Sequence, residues 1–222
     1  AFGINKNSDS EFAKKTDDRI EINSLVGKNF TKELSYSSFV NFKTQFARGY
    51  KYSNSSIAAE QRTETTRFFS PAYIQLGVGV YWKKSKDFWI NMAPVTGRLI
   101  IANKKFTSNL SDGEEYFGIS KGNTSRFELG ASLTGFYKFE LIENVILEQS
   151  LSLYSDYLQN AENIDVDYTF SAFMKINDYL STSLIIQCRY DDNAVKKVQL
   201  REVFGLAVTL DLLEIPSLIS KI

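Results

Sequence analysis

The stretch Arg126-Phe127-Glu128-Leu129-Gly130-Ala131-Ser132-Leu133-Thr134-Gly135-Phe136-Tyr137-Lys138-Phe139-Glu140-Leu141 decides the fold class. Its odd-numbered positions read Phe127, Leu129, Ala131, Leu133, Gly135, Tyr137, Phe139 and Leu141. Its even-numbered positions read Arg126, Glu128, Gly130, Ser132, Thr134, Phe136, Lys138 and Glu140. Successive side chains of a strand point to opposite faces, so this is a strand with one apolar face and one polar, charged face. A helix would mix the two sets around its circumference.

The same period recurs along the chain. Asp165–Ile176 sets Val166, Tyr168, Phe170, Ala172, Met174 and Ile176 against Asp165, Asp167, Thr169, Ser171 and Lys175, with Phe173 on the polar side. Tyr73–Trp82 sets Ile74, Leu76, Val78, Val80 and Trp82 against Gln75, Gly77, Gly79 and Tyr81. Arg19–Val26, Tyr36–Phe46, Val145–Tyr157, Leu180–Asp191 and Gln199–Leu210 alternate as well, with exceptions such as Gln149. A weaker pair of strands, Phe88–Met92 and Arg98–Ala102, flanks Pro94. Proline cannot donate to a central ladder, which predicts a break or bulge there.

Several of these runs hold register for ten or more residues, beyond the ~5–6 of an average globular strand. A tilted strand crosses a bilayer in roughly 9–11 residues. Short turns at Gly27–Thr31, Lys84–Asp87, Ile142–Asn144 and Asn177-Asp178 alternate with long polar loops at Lys6–Asp17, Arg48–Ser70 and Asn103–Ser125, and shorter ones at Gln159–Asn163 and Asp192–Lys197. Tight turns at one rim and long loops at the other are the layout of an outer-membrane barrel. Tyr81, Trp82, Phe88 and Trp89 flank one tight turn, Tyr137 approaches another and Tyr179 follows a third, as an interfacial aromatic girdle would require. The expectation is an all-β fold, an antiparallel transmembrane β-barrel of about ten visible strands over residues 1–212 with a tail at 213–222. A stub strand at Phe2–Asn5 cannot by itself close a barrel, so two further N-terminal strands, about twelve in all, are expected upstream.

Composition agrees with this and narrows function. The 222 residues carry 26 basic and 26 acidic side chains, so no net field draws the chain to nucleic acid. A slightly negative mean hydropathy is what two opposite faces average to. No run approaches 18 apolar residues, so no transmembrane helix is expected. There is no histidine, which removes the usual general base and the commonest metal ligand. The single cysteine, Cys188, excludes an internal disulfide and reads as a small apolar-face residue.

The segments Lys15–Ile20, Asn41–Phe46, Ser70–Tyr73, Ala93–Leu99, Asn163–Val166, Met174–Asn177, Tyr190–Asp192 and Arg201–Gly205, in that order and spacing, resemble a family of Bacteroidota outer-membrane β-barrels known only as a domain of unknown function. The resemblance covers about residues 15–210. It implies an exported precursor with a signal peptide and further upstream strands, and a last strand ending on an aromatic residue, from which Ile222 departs. It implies no activity and no catalytic residues.

The polar face supplies the candidate interior. Glu21, Lys43, Arg126, Glu128, Lys138, Glu140, Asp167, Lys175, Arg189 and Arg201 carry both signs in similar number, as a ladder of paired charges filling a narrow lumen would. Asp165, Asp167, Asp191 and Asp192 are weak candidates for a divalent cation at the loop rim, against the plainer reading of carboxylates paired with nearby cations. No cofactor is expected. Barrel hydrolases that modify lipids use a Ser–His pair, which this chain lacks, so the expectation is a non-enzymatic protein of a bacterial outer membrane, structural or accessory to a larger assembly. Its expected partners are outer-membrane lipid, lipopolysaccharide and other outer-membrane proteins, with no nucleic acid. The alternatives are a narrow channel or transporter lined by Gly77, Gly79, Gly130 and Ser132, and a soluble ligand-binding barrel with its apolar faces turned inward.

Overall fold

Alternation along the chain is realised as long antiparallel strands. The computed structural model describes residues 2–5, 14–55, 58–159, 161–191, 193 and 195–209. In chain order the elements are β1 (Phe2–Asn5), β2 (Lys14–Asp18), β3 (Ile20–Asn29), β4 (Leu34–Thr44), β5 (Gly49–Ser55), β6 (Ala58–Thr66), β7 (Ala72–Lys83), β8 (Phe88–Ile101), α1 (Lys104–Thr107), β9 (Glu115–Tyr116), β10 (Ile119–Ser120), β11 (Ser125–Ile142), β12 (Val145–Asp156), β13 (Ile164–Lys175), β14 (Leu180–Asp191) and β15 (Val195–Val208). The tail 213–222, most of the loop Lys6–Asp17, and Asp192 lie outside the described residues.

Nine strands form one antiparallel meander in the order β3-β4-β7-β8-β11-β12-β13-β14-β15. The stretch Arg126–Leu141 lies within its central strand β11, between β8 and β12. Chain direction reverses at every strand, so the short connections share one rim and the long ones the other. The turns are closed by side chains suited to them. Thr31 Oγ accepts from Leu34 N at 2.9 Å, Asn177 Oδ1 accepts from Tyr179 N and Leu180 N at 2.9 and 2.8 Å, and Asn144 takes a positive φ of 66°.

Three expectations are corrected. Phe88–Met92 and Arg98–Ala102 are parts of one strand, β8, with a bulge. Val78 pairs Val95 but Val80 pairs Met92, and Gly130 pairs Thr96 but Ser132 pairs Ala93, so β8 carries one extra residue at Pro94 against both neighbours. The connections read as loops hold structure: β5 pairs with β6 inside 48–70, and α1 with the β9–β10 pair lies inside 103–125. Their apolar residues are scattered among polar ones without a sustained period of two, which hides short strands such as the one that buries Ile119. Finally, β3 and β15 are the two ends of the sheet, and no ladder joins them among the described residues. The sheet is open, and its strand count is nine.

It is nevertheless strongly curled, with the polar face inside. Arg98 on β8 reaches Asp165 on β13 at 2.7 Å, and Lys43 on β4 interacts electrostatically with Asp167 on β13 and Arg189 on β14. On a flat sheet those strands would stand three, five and six positions apart, ~14, ~24 and ~28 Å at the usual spacing. The apolar face looks outward: Phe127 is 60% exposed, Leu76 55% and Val78 51%. Among the described residues just seven apolar ones are buried, and four of them are alanines (Ala72, Ala93, Ala102 and Ala172). The small apolar cluster of Ile100, Ala102 and Ile119, with Tyr73 and Tyr116 against it, sits at the long-loop rim.

Candidate functional site

The concave face holds the titratable residues in groups. Beneath the long-loop rim, Glu128 is fully buried between two arginines, with Arg98 Nε 2.5 Å from Oε2 and Arg126 Nε 3.0 Å from Oε1. Arg98 continues to Asp165 at 2.7 Å and lies 3.9 Å over the Tyr154 ring, while Arg126 continues to Asp156 at 3.5 Å. Arg126 also donates to the Gly118 carbonyl at 3.1 Å and to Asn193 Oδ1 at 3.2 Å, which ties the 103–124 connection and the β14–β15 turn to the interior. Gly118 has φ +75° and a side chain there would strike the Arg126 guanidinium.

A second group lies between the two ends of the sheet. Asp167 takes Arg189 through both Nε (3.0 Å) and Nη2 (2.8 Å), and Gln187 at 2.9 Å. Glu21 takes Arg19 at 3.2 Å and stands opposite Lys43 in the β3–β4 register. Lys43, Arg189 and Arg201 border a cavity of about 390 Å³. Toward the short-turn rim the pairs are more exposed: Lys138 with Glu148 at 2.8 Å and Lys175 with Asp178 at 2.7 Å, while Glu140 is exposed. Lys175 therefore belongs to the rim turn rather than to the interior ladder expected of it.

The carboxylates weighed as cation ligands have other occupations. Asp165 faces Arg98, Asp167 faces Arg189, and Asp191 Oδ1 accepts from Asn193 N at 3.0 Å. Among the described residues no group of three acidic, His or Cys side chains is placed to hold a metal ion.

The aromatics divide between the two faces instead of forming one girdle. Trp82, Phe88, Tyr137 and Phe139 run in edge and stacked contacts along the outer face, with centroids 4.9 to 5.8 Å apart. Tyr81, Trp89 and Phe136 share the face of Asn91 and Glu128, Trp89 tilted against Tyr81 at 5.7 Å and stacked on Phe136 at 6.0 Å. Tyr179 is exposed in its turn. On the outer face, Gln149, the polar exception of its strand, accepts a hydrogen bond from Tyr168 Oη at 3.0 Å.

Above the interior, the β5–β6 hairpin and α1 are fastened to one another. Glu64 takes Arg67 Nε at 2.8 Å, Arg67 Nη2 at 2.9 Å and Lys105 Nζ at 2.6 Å. The Arg67 and Lys105 hydrogen bonds hold the Glu64 carboxyl far below the usual carboxylate range, at about 2. Tyr116 Oη donates to the Thr65 and Ser70 carbonyls at 2.8 and 3.2 Å. Arg98, Asp156 and Tyr154 are the interior residues that sequence reasoning does not single out.

A family model described as a protein of unknown function (DUF3078) matches residues 1–50. That covers β1 to β4 and the start of β5, less of the chain than the resemblance read from sequence, and it assigns neither an organism nor a membrane. No curated protein and no solved structure matches the chain.

Proposed function

We propose that the chain is a non-enzymatic β-barrel protein of a bacterial outer membrane, a structural or accessory component of an assembly there, with lipid and lipopolysaccharide as its surroundings. The observation that carries this reading is the inverted burial. Glu128 and Thr96 are fully buried on the concave face while Phe127, Leu76 and Val78 face outward, and the buried apolar set is too small to drive folding in water. A charge-filled inside and an apolar outside is the arrangement a bilayer favours. In lipid an unpaired strand edge is costly, so the reading requires the edges of β3 and β15 to be paired, with each other or with further strands.

A channel is less well supported. Gly77 and Ser132 are buried, and a Cβ on Gly79 or Gly130 would fall 1.9 or 1.8 Å from the carbonyl oxygen of Met92 or Ser155, so these positions are close-packed ladder contacts instead of pore lining. A soluble barrel needs the opposite orientation of every strand. The lack of histidine supports the non-enzymatic reading.

The test is solvent dependence followed by conductance. The protein is expected to be folded and monodisperse in detergent micelles or vesicles and to aggregate in plain buffer, and planar bilayers are expected to show no stable conductance. Monodisperse folded protein in plain buffer would refute the membrane placement, and solute-selective conductance would refute the accessory role in favour of a channel.

A further inference from the structure

We infer that the cavity between β4 and the β14–β15 end of the sheet binds the phosphate of a phosphorylated sugar. Its volume of about 390 Å³ is that of a small-molecule site. Four cations border it from four separate places in the chain: Arg19 between β2 and β3, Lys43 on β4, Arg189 on β14 and Arg201 on β15. Three nearby carboxylates are already engaged. Asp18 accepts from Lys15 Nζ at 2.9 Å and from the backbone N–H groups of Phe46 and Ala47 at 2.9 and 2.7 Å. Asp167 is taken by Arg189 and Gln187, and Glu21 by Arg19.

Lys43 is the group left over. Among the described residues its ammonium has no hydrogen-bond or ion-pair partner, although Glu21 stands opposite it in register. Glu21 and Asp167 attract the Lys43 ammonium and Arg189 and Arg19 repel it, none of them bonding to it, so an anion arriving there supplies the direct contacts that this half-buried cation lacks. Two more polar groups in the lining, Tyr73 Oη and the Gln199 amide, have no hydrogen-bond partner among the described residues. A mixed Arg/Lys set suits a tetrahedral oxyanion, with arginine offering a fork and lysine a point charge. The cavity is larger than a phosphate ion. Its aromatic wall of Tyr73 and Phe117, with the Gln199 amide, suits the ring and hydroxyls of a sugar.

A phosphorylated sugar has two sources here, a soluble sugar phosphate or the headgroup of a phosphorylated glycolipid. The inference does not rest on what covers the outer face, but it requires that any pairing of the β3 and β15 edges leave open the cavity that Arg19, beside β3, and Gln199, Leu200 and Arg201 on β15 help to line. The experiment is a titration of the folded full chain with glucose 6-phosphate, with glucose, and with micelles carrying lipid A or its dephosphorylated form. Saturable submillimolar binding of glucose 6-phosphate but not glucose supports the site with a soluble source. Binding of lipid A alone, lost on dephosphorylation, supports it with a lipid source. Lys43→Gln is expected to weaken whichever binding is seen at least tenfold, and Arg201→Gln, on the exposed edge strand, serves if Lys43→Gln does not fold. Absence of binding by both phosphorylated probes overturns the inference. So does binding that Lys43→Gln or Arg201→Gln weakens no more than Lys83→Gln, which lies outside the cavity.

Discussion

Arg98 Nε lies 2.5 Å from Oε2 of Glu128, its register partner across β8 and β11, and the Glu128 side chain is fully buried between Arg98 and Arg126. Removing one member of a buried ion pair costs ~3–5 kcal/mol because the other charge is stranded. Arg98 keeps Asp165 and Arg126 keeps Asp156 when Glu128 is changed. Glu128→Gln is therefore expected at the low end, about 3 kcal/mol. Urea unfolding in vesicles followed by tryptophan fluorescence measures it, with the exposed rim substitution Lys175→Gln expected to leave the midpoint in place.

Val78 faces outward at the middle of β7, 51% exposed. On the surface of a water-soluble protein, arginine would be tolerated at such a position. On a lipid-facing strand near the bilayer midplane it costs ~2–4 kcal/mol. Val78→Arg is expected to lower vesicle-folded yield and unfolding stability by that amount. An unchanged stability would place this face in water.

The strands and their inner and outer faces are legible in the sequence because alternation is a local property, visible from Arg126 to Leu141 without knowing any neighbour. The interior cluster is less so, and Arg98 is the reason. Before the bulge the inward residues of β8 are Asn91 and Ala93; after it they are Thr96, Arg98 and Ile100. The extra residue at Pro94 flips the phase, so counting by twos from Asn91 sends Arg98 to the outer face. Proline marks that something breaks there but not which way the phase moves. Asp156 and Tyr154 escape for a different reason. They meet Arg126 on the neighbouring strand and Arg98 two strands away, a relation between strands that no single segment encodes. The rim strands escape because they are short or polar: β9 and β10 are two residues each, too few to show a period, although Ile119 is buried.

The rim gives a pH prediction with a definite sign. Glu64, on the hairpin outside the nine-stranded sheet, titrates at about 2 when folded against 4.5 for a free carboxyl, because Arg67 and Lys105 donate to it. A depressed folded value means that its contribution to stability is complete above about pH 4.5 and is lost as pH falls toward about 2. Hydrogen exchange of β6 and α1 amides, corrected for intrinsic rates, is expected to quicken across that window while β11 stays protected. Glu64→Gln is expected to abolish the window. A wild-type profile that is flat from pH 5 to about 2 would mean that Glu64 does not hold the cap.

The close approach of β11 and β12 beside the bulge is testable through two glycines of β11. Gly130 sits where the β8 register slips, and a Cβ there would lie 1.8 Å from the Ser155 carbonyl oxygen, a backbone atom of β12 that cannot rotate away. Five residues on, a Cβ at Gly135 would meet nothing nearer than the Trp89 carbonyl oxygen at 3.7 Å, ordinary contact. Both strands must therefore part at the first site and neither at the second. Gly130→Ala is expected to destabilise by about 1–3 kcal/mol, the usual cost of overpacking. Gly135→Ala is expected to be neutral or slightly stabilising, because alanine loses less backbone entropy on folding. Paired urea titrations in vesicles compare them directly. Equal effects at the two positions would show that β11 and β12 do not approach as closely beside the bulge as the register requires.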